Sequence, residues 1–332
     1  MSTRGKVLLI GSIVHATKEW ASLGNVAELV ELTSKNRAEF LKDLKGKYSD
    51  ITAIYSTFQG SSITGRLDKE LAEACPSTLK FVSHNGAGYD LIDVQHFTER
   101  GVQVSHTPSA VDAATADTNI YLILGALRNF GKGAIELRKG NWVKTTEEAH
   151  DPEGKVLGIL GLGGIGRAVR DRASVFGFSK ILYHNRTQLS PELEGNAQYV
   201  SFDELLKQSD VLSLNLPLNA HTRHIINKEA IDKCKDGVVI VNTARGAVVD
   251  EQALVDGLKS GKISTVGLDV FENEPTIHPE LLNNEDVLLL PHMGTHSIET
   301  RKLMEATVIE NIRSGLETGK LINIVPEQKG KF

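Results

Sequence analysis

Gly161, Gly163 and Gly166 stand in the run Val156-Leu-Gly-Ile-Leu-Gly-Leu-Gly-Gly-Ile-Gly166, a G-x-G-x-x-G turn fed by an apolar stretch. The first glycine of such a turn permits the tight bend, the second lets a pyrophosphate approach the backbone, and the third lets the next helix pack on the strand. The chemistry is the docking of a phosphate on a helix N-terminus. The spacing alone is common, so the flanks decide. Ile165, Ala168, Val169, Ala173 and Phe176 continue at helical spacing, and a second apolar strand follows at Ile181 to Tyr183. Strand, glycine turn, helix and strand in that order predict a dinucleotide site.

Three later residues can move charge and protons. Arg245 lies just beyond the buried-strand pattern Val238-Val-Ile-Val241, where α/β ligand sites form, and a guanidinium there can grip a carboxylate with two prongs. Glu274 follows the strand pattern Thr265 to Val270, and His292 follows Val287 to Leu290. A carboxylate beside an imidazole fixes its orientation and stabilises its protonated form. With a nicotinamide near the glycine turn, the set suits reduction of a 2-oxo acid: Arg245 as anion clamp, His292 as acid in reduction and base in reverse, Glu274 as its tuner. An arginine here can also serve a structural ion pair. A histidine among 11 is more often structural, and its place after a strand and near Gly294 sets His292 apart.

In an NAD site an acidic residue about 20 positions past the glycine turn takes the ribose hydroxyls. Here the second strand ends in His184, Asn185 and Arg186, with no carboxylate before Glu192. Asn185 can hydrogen-bond to a 2′-phosphate and Arg186 can pair with its charge, so NADP(H) is the expected cofactor. NAD(H) remains open if Arg186 only faces solvent.

The elements that must position these residues form two series. Strand patterns at Val7–Ile10, Ile51–Tyr55, Leu79–Val82 and Val102–Val104 alternate with helical segments such as Arg37–Leu44 and Arg66–Ala74; a second series runs from Val156–Leu160 through Ile181–Tyr183, Val211–Leu216, Val238–Val241, Thr265–Val270 and Val287–Leu290. Such alternation predicts parallel sheets. Ala114–Phe130 and Ser297–Leu316 read as long helices that could bridge two domains. The expected division is a substrate domain of 1–112 plus 297–332, with a dinucleotide-binding domain of 113–296 inserted into it and a ligand cleft between them. Gly131 to Gly154, polar and carrying Trp142, reads as a dimer arm or a surface loop.

The chain's 332 residues suffice for two cores. A net charge of -5 without a dense basic tract argues against nucleic acid, and no apolar run approaches the length of a membrane helix. Cys75 and Cys234 lack metal-site spacing, so no metal is expected, and reduced thiols fit a cytoplasmic protein.

The chain resembles the D-isomer-specific 2-hydroxyacid dehydrogenases through Gly161-Leu-Gly-Gly-Ile-Gly166, Asn242-Thr-Ala-Arg-Gly246, Gly267-Leu-Asp-Val-Phe-Glu-Asn-Glu-Pro275 and Pro291-His-Met-Gly294, in order, with similarity from about Lys80 to about Pro326. Within that family, Tyr183-His-Asn-Arg186, Asn242 to Gln252 and Pro291 to Ser297 most resemble fungal glyoxylate reductases. The resemblance implies two Rossmann-like doubly wound parallel-sheet domains and a homodimer. It puts Arg245, Glu274 and His292 on catalytic positions and His84 to Asp90 on a substrate loop, with the amides of Ala87 and Gly88 toward the substrate carboxylate. Thr115, Gly164, Ile165, Leu216, Pro217, Thr222, Thr243, Ala244, Asp269 and Gly294 would line the cofactor. Gly164 departs from the family, which often has a larger residue such as arginine there. The implied activity is reduction of a small 2-oxo acid, glyoxylate first and hydroxypyruvate next. The alternatives are a dehydrogenase for branched or aromatic 2-oxo acids, and a dinucleotide-sensing, corepressor-like binding protein. Formate dehydrogenases share the fold, but an amide partner for the histidine is expected there, and Glu274 stands in its place.

Overall fold

The computed structural model describes residues 4–143 and 146–332; residues 1–3, in the first predicted domain, and Lys144 and Thr145, in the predicted arm, lie outside the described residues. The chain divides into two compact units, one ending at Val111 and resuming at Ser297, the other spanning Asp112–His296. The second is thus inserted into the first.

The first unit carries β1 (Gly5–Ile10), β2 (Ala27–Glu31), β3 (Ala53–Thr57), β4 (Phe81–Asn85) and β5 (Gln103–Ser105), all parallel, in the order β2-β1-β3-β4-β5. Successive side chains of a strand point to opposite faces. Accordingly Leu8, Ile10, Ile54 and Val82 enter one core, with Phe40, Leu71 and Phe97. Val7, Leu9, Tyr55 and Phe81 enter another, with Val308, Ile309 and Ile312 of the helix Ile298–Thr318. That helix starts on Ser297, whose hydroxyl accepts the Thr300 N–H, and ends at Gly319 in the left-handed conformation.

The second unit carries β6 (Val156–Leu160), β7 (Lys180–His184), β8 (Gln198–Tyr199), β9 (Val211–Leu214), β10 (Val238–Asn242), β11 (Ile263–Leu268) and β12 (Leu288–Leu289), parallel and ordered β12-β11-β10-β9-β6-β7-β8. This is the Rossmann order 3-2-1-4-5-6 with one strand added, and the order reverses between β6 and β9, where ligands of such sheets bind. Leu157, Ile159, Tyr183, Val239 and Val241 face the helices Asp112–Leu127 and Gly164–Ala173, while Leu160, Leu182, Leu212 and Ile240 face the opposite core.

Several boundaries differ from the sequence reading. The strand expected at Thr265–Val270 is Ile263–Leu268, because Asp269 leaves the sheet to bind the next loop. The edge strands β2 and β8 have no clear apolar pattern. The helix expected over Ala114–Phe130 runs Asp112–Leu127 and breaks at Asn129, whose φ is 51°. A second helix, Phe130–Arg138, takes the start of the segment read as a loop or arm; Gly131 and Gly133 had masked it, since glycine lowers helix propensity. Each long helix belongs to one unit.

Candidate active site

The glycine turn follows β6. Gly161 has φ of 97°, and a Cβ there would lie 2.7 Å from the Asn215 carbonyl oxygen, so only glycine fits. A Cβ on Gly166 would stand 2.1 Å from the Gly161 carbonyl oxygen, which is the close helix-to-strand approach expected of the third glycine. Gly163 is exposed, with nothing within 4 Å of its Cβ position. Beyond β7, the Asn185 Oδ1 accepts the Leu162 N–H at 2.7 Å. Its oxygen therefore holds the glycine turn, and only its amide nitrogen remains to donate to a ligand. Arg186 is exposed and makes no hydrogen bond or ion pair with the described residues. Asn215, past β9, has a buried Oδ1 without a partner among them. An open glycine backbone, an unspent cation and an unpartnered buried acceptor along one carboxyl edge fit a dinucleotide.

His292 and Glu274 meet as their sequence positions predict. His292 Nδ1 donates to Glu274 Oε2 at 2.8 Å, while Glu274 Oε1 accepts the Phe271 N–H at 3.0 Å. Burial pushes the Glu274 carboxyl up, but the hydrogen bond and charge of His292, the Phe271 N–H and the Arg245 charge outweigh it and hold the group below the usual carboxylate range. Arg245 thus acts on the same carboxylate. Its turn is braced by the buried Asn242, whose Oδ1 accepts from the Ala244 N–H at 2.9 Å and whose Nδ2 donates to the Arg245 carbonyl at 2.9 Å.

His292 sits at φ of 54°, which costs energy for a residue with a Cβ and persists only where its surroundings enforce it. Asp269 enforces it. The Asp269 carbonyl accepts the His292 N–H at 2.8 Å, and the two carboxylate oxygens accept from Met293 at 2.6 Å and Gly294 at 2.8 Å. Burial raises the Asp269 pKa despite these bonds. On the other side, Glu251, nearly buried, accepts the Glu272 N–H at 2.6 Å, and Glu272 pairs with His224 and Arg223, each at 2.7 Å. The loops bearing the imidazole and its carboxylate are therefore each held by a buried acid.

The other expected residues have these local surroundings. Buried Thr115 packs beside Gly294, whose Cβ position is 3.4 Å from Thr115 Cγ2. Thr243 accepts from Asn119 at 2.9 Å, and Asn119 accepts from Ser213 at 3.0 Å, a buried chain linking the helix Asp112–Leu127 to β9 and β10. Leu216 packs against the core, and Thr222 closes its own turn by donating to the Pro217 carbonyl at 2.6 Å. At Gly164 a Cβ would come 2.1 Å from Asp112 Oδ2, so an acidic side chain takes space that a larger residue would need. Ala87 and Gly88 belong to the first unit, after β4. Sequence reasoning missed the clamping roles of Asp269, Asn242 and Glu251. Only the dense run of polar residues at strand ends hinted at them. Among the described residues no group of three or more His, Cys, Asp or Glu side chains could hold a metal ion.

A Rossmann-ordered sheet with a glycine turn, an arginine and a His–Glu pair along its carboxyl edge defines a nicotinamide-dependent dehydrogenase. The chain belongs to the D-isomer specific 2-hydroxyacid dehydrogenase family, whose NAD binding domain matches residues 120–294. It is 55% identical to 4-methyl-2-oxopentanoate reductase A of Aspergillus oryzae, across 98% of this chain and 99% of that protein. It is 51% identical to glyoxylate reductase 1 of Saccharomyces cerevisiae, across 98% and 96%. The crystal structure of a glyoxylate reductase from Paecilomyes thermophila superposes with a TM-score of 0.96 at 54% identity, covering 98% of this chain and 99% of that one. No helix among the described residues is long and apolar enough to cross a membrane.

Proposed function

We propose that the protein reduces a small 2-oxo acid, glyoxylate foremost and hydroxypyruvate next, to the 2-hydroxy acid with NADPH. The observation that carries this is the 2.8 Å His292–Glu274 hydrogen bond on the carboxyl edge that also bears Arg245 and the glycine turn. Bound dihydronicotinamide supplies the hydride that the 2-oxo carbon accepts. Arg245 holds the substrate carboxylate, together with the Ala87 and Gly88 amides. With Nδ1 committed to Glu274, the proton passed to the 2-oxo oxygen is the one on Nε2 of His292. Hydride and proton together complete the alcohol, and Glu274, ionised, stabilises the imidazolium before it discharges.

In this reading the 112–296 unit holds the cofactor: the turn at Gly161, Gly163, Gly164, Ile165 and Gly166 takes the pyrophosphate, and Thr115, Leu216, Pro217, Thr222, Thr243, Ala244, Asp269 and Gly294 surround the rest. Arg186 and the Asn185 amide nitrogen favour NADPH over NADH through the 2′-phosphate. Phe130, Leu137, Trp142 and Val143, large apolar side chains exposed within one short stretch of sequence, support a homodimer, since exposed apolar surface marks an interaction site. A cytoplasmic setting fits the two reduced cysteines.

A second reading, preference for branched 2-oxo acids, is favoured by the likeness to 4-methyl-2-oxopentanoate reductase A. Steady-state kinetics with glyoxylate, hydroxypyruvate and 4-methyl-2-oxopentanoate, each with NADPH and NADH, decide. Glyoxylate with NADPH is expected to give the highest kcat/KM. A higher value for the branched acid establishes the second reading, and no turnover of any acid overturns both.

A further inference from the structure

The segment 86–90 follows β4 and contains two adjacent peptide planes whose N–H groups belong to Ala87 and Gly88. In a trans peptide the carbonyl of one residue and the N–H of the next point opposite ways from a single rigid plane, so whatever grips the carbonyl aims the amide. The Gly86 carbonyl accepts the Thr107 N–H at 3.0 Å, which fixes the plane carrying the Ala87 N–H. The Ala87 carbonyl accepts from the His106 Nδ1 at 2.8 Å, which fixes the plane carrying the Gly88 N–H. Two consecutive residues after β5 thus hold two consecutive planes.

The His106 ring is itself held. Its edge meets the Tyr89 ring at 5.0 Å and 72°, its backbone N–H donates to the Asn323 carbonyl at 3.3 Å, and the Tyr89 hydroxyl donates to Glu327 at 2.9 Å. A carbonyl can only accept, so Nδ1 carries the proton. Burial lowers the pKa of this imidazole, and the Ala87 carbonyl holds a proton on that nitrogen. A hydrogen bond to a peptide carbonyl also polarises the plane and strengthens its N–H as a donor.

We infer that His106 is a positioning residue for substrate: its side chain aims and strengthens the Gly88 amide that receives the carboxylate of the 2-oxo acid. This rests on the proposed role of the Ala87 and Gly88 amides. His106→Asn and His106→Phe separate the donor from the ring. The asparagine Nδ2 lies as many bonds from Cβ as the histidine Nδ1 and keeps the donor, whereas phenylalanine keeps the ring packing on Tyr89 and loses it.

KM and kcat are to be measured with the 2-oxo acid that the unsubstituted protein turns over best, alongside NADPH affinity by fluorescence and thermal midpoints. His106→Phe is expected to raise KM for the acid about tenfold, the worth of one good hydrogen bond, with kcat and NADPH affinity little changed. His106→Asn is expected to stay within about twofold of the unsubstituted KM. The reverse order, with the phenylalanine variant near normal and the asparagine variant impaired, assigns the ring to packing and overturns the inference. Equal impairment of both overturns it as well. Turnover of an acid by the unsubstituted protein tests the functional reading separately, and only the order of the two variants tests His106.

Discussion

At the scale of single residues, the His292–Glu274 pair sets the pH behaviour. The Glu274 carboxyl lies below its ordinary range, so it stays ionised as pH falls through that range and its support for the imidazolium is lost only below it. Glu274→Gln removes the charge that favours protonated His292. The pH–rate profile in the reductive direction should therefore change, and a profile identical to that of the unsubstituted protein refutes the tuning role. His292→Ala should cut kcat by about 10²- to 10⁴-fold, the usual share of acid–base catalysis, with NADPH affinity retained. Arg186 is exposed and unpaired among the described residues, so Arg186→Ala should disturb nothing else. The NADPH-to-NADH ratio of kcat/KM is expected to fall about tenfold or more, the worth of a charge-assisted hydrogen bond. An unchanged ratio places the 2′-phosphate elsewhere.

At the scale of elements, what could be read from the sequence was what the backbone period writes directly. Strands of the inserted sheet show as apolar runs because helices cover both faces, and the glycine turn shows because the residues at 161 and 166 cannot carry a Cβ. The Arg245, Glu274 and His292 positions were visible as polar residues just past such runs. Strands β2 and β8 were not, since Glu28, Glu31 and Gln198 interrupt any apolar run there. Nor were the supports visible, because a buried acid bound to backbone N–H groups looks in sequence like any other acid. Asp269 is the clearest example: expected beside the cofactor, it binds the turn that forces His292 into a left-handed conformation. Asp269→Asn leaves one oxygen where two accept. The turn should loosen, with a loss in kcat of up to about 100-fold from misplacement of the imidazole. Near-normal kcat would show that the Asp269 side chain is not what holds it.

At the scale of the whole chain, each unit has its own cores, and the glycine turn lies in only one of them. A ligand that binds only the folded state stabilises it by mass action. NADPH at a hundredfold excess over its Kd should add about 2.7 kcal/mol to the unfolding free energy of the 112–296 unit. Hydrogen exchange with and without NADPH reads this by segment, and protection that rises only in the first unit would contradict the assignment.

The first unit depends on a late arrival. Val308, Ile309 and Ile312 of the Ile298–Thr318 helix complete the core under Val7, Leu9 and Phe81, so these strands lack part of their covering until the helix that follows the inserted unit has been made. During synthesis the inserted half has all its strands while its host is unfinished. A nascent chain can therefore acquire its NAD-binding half before the half that hosts it is complete.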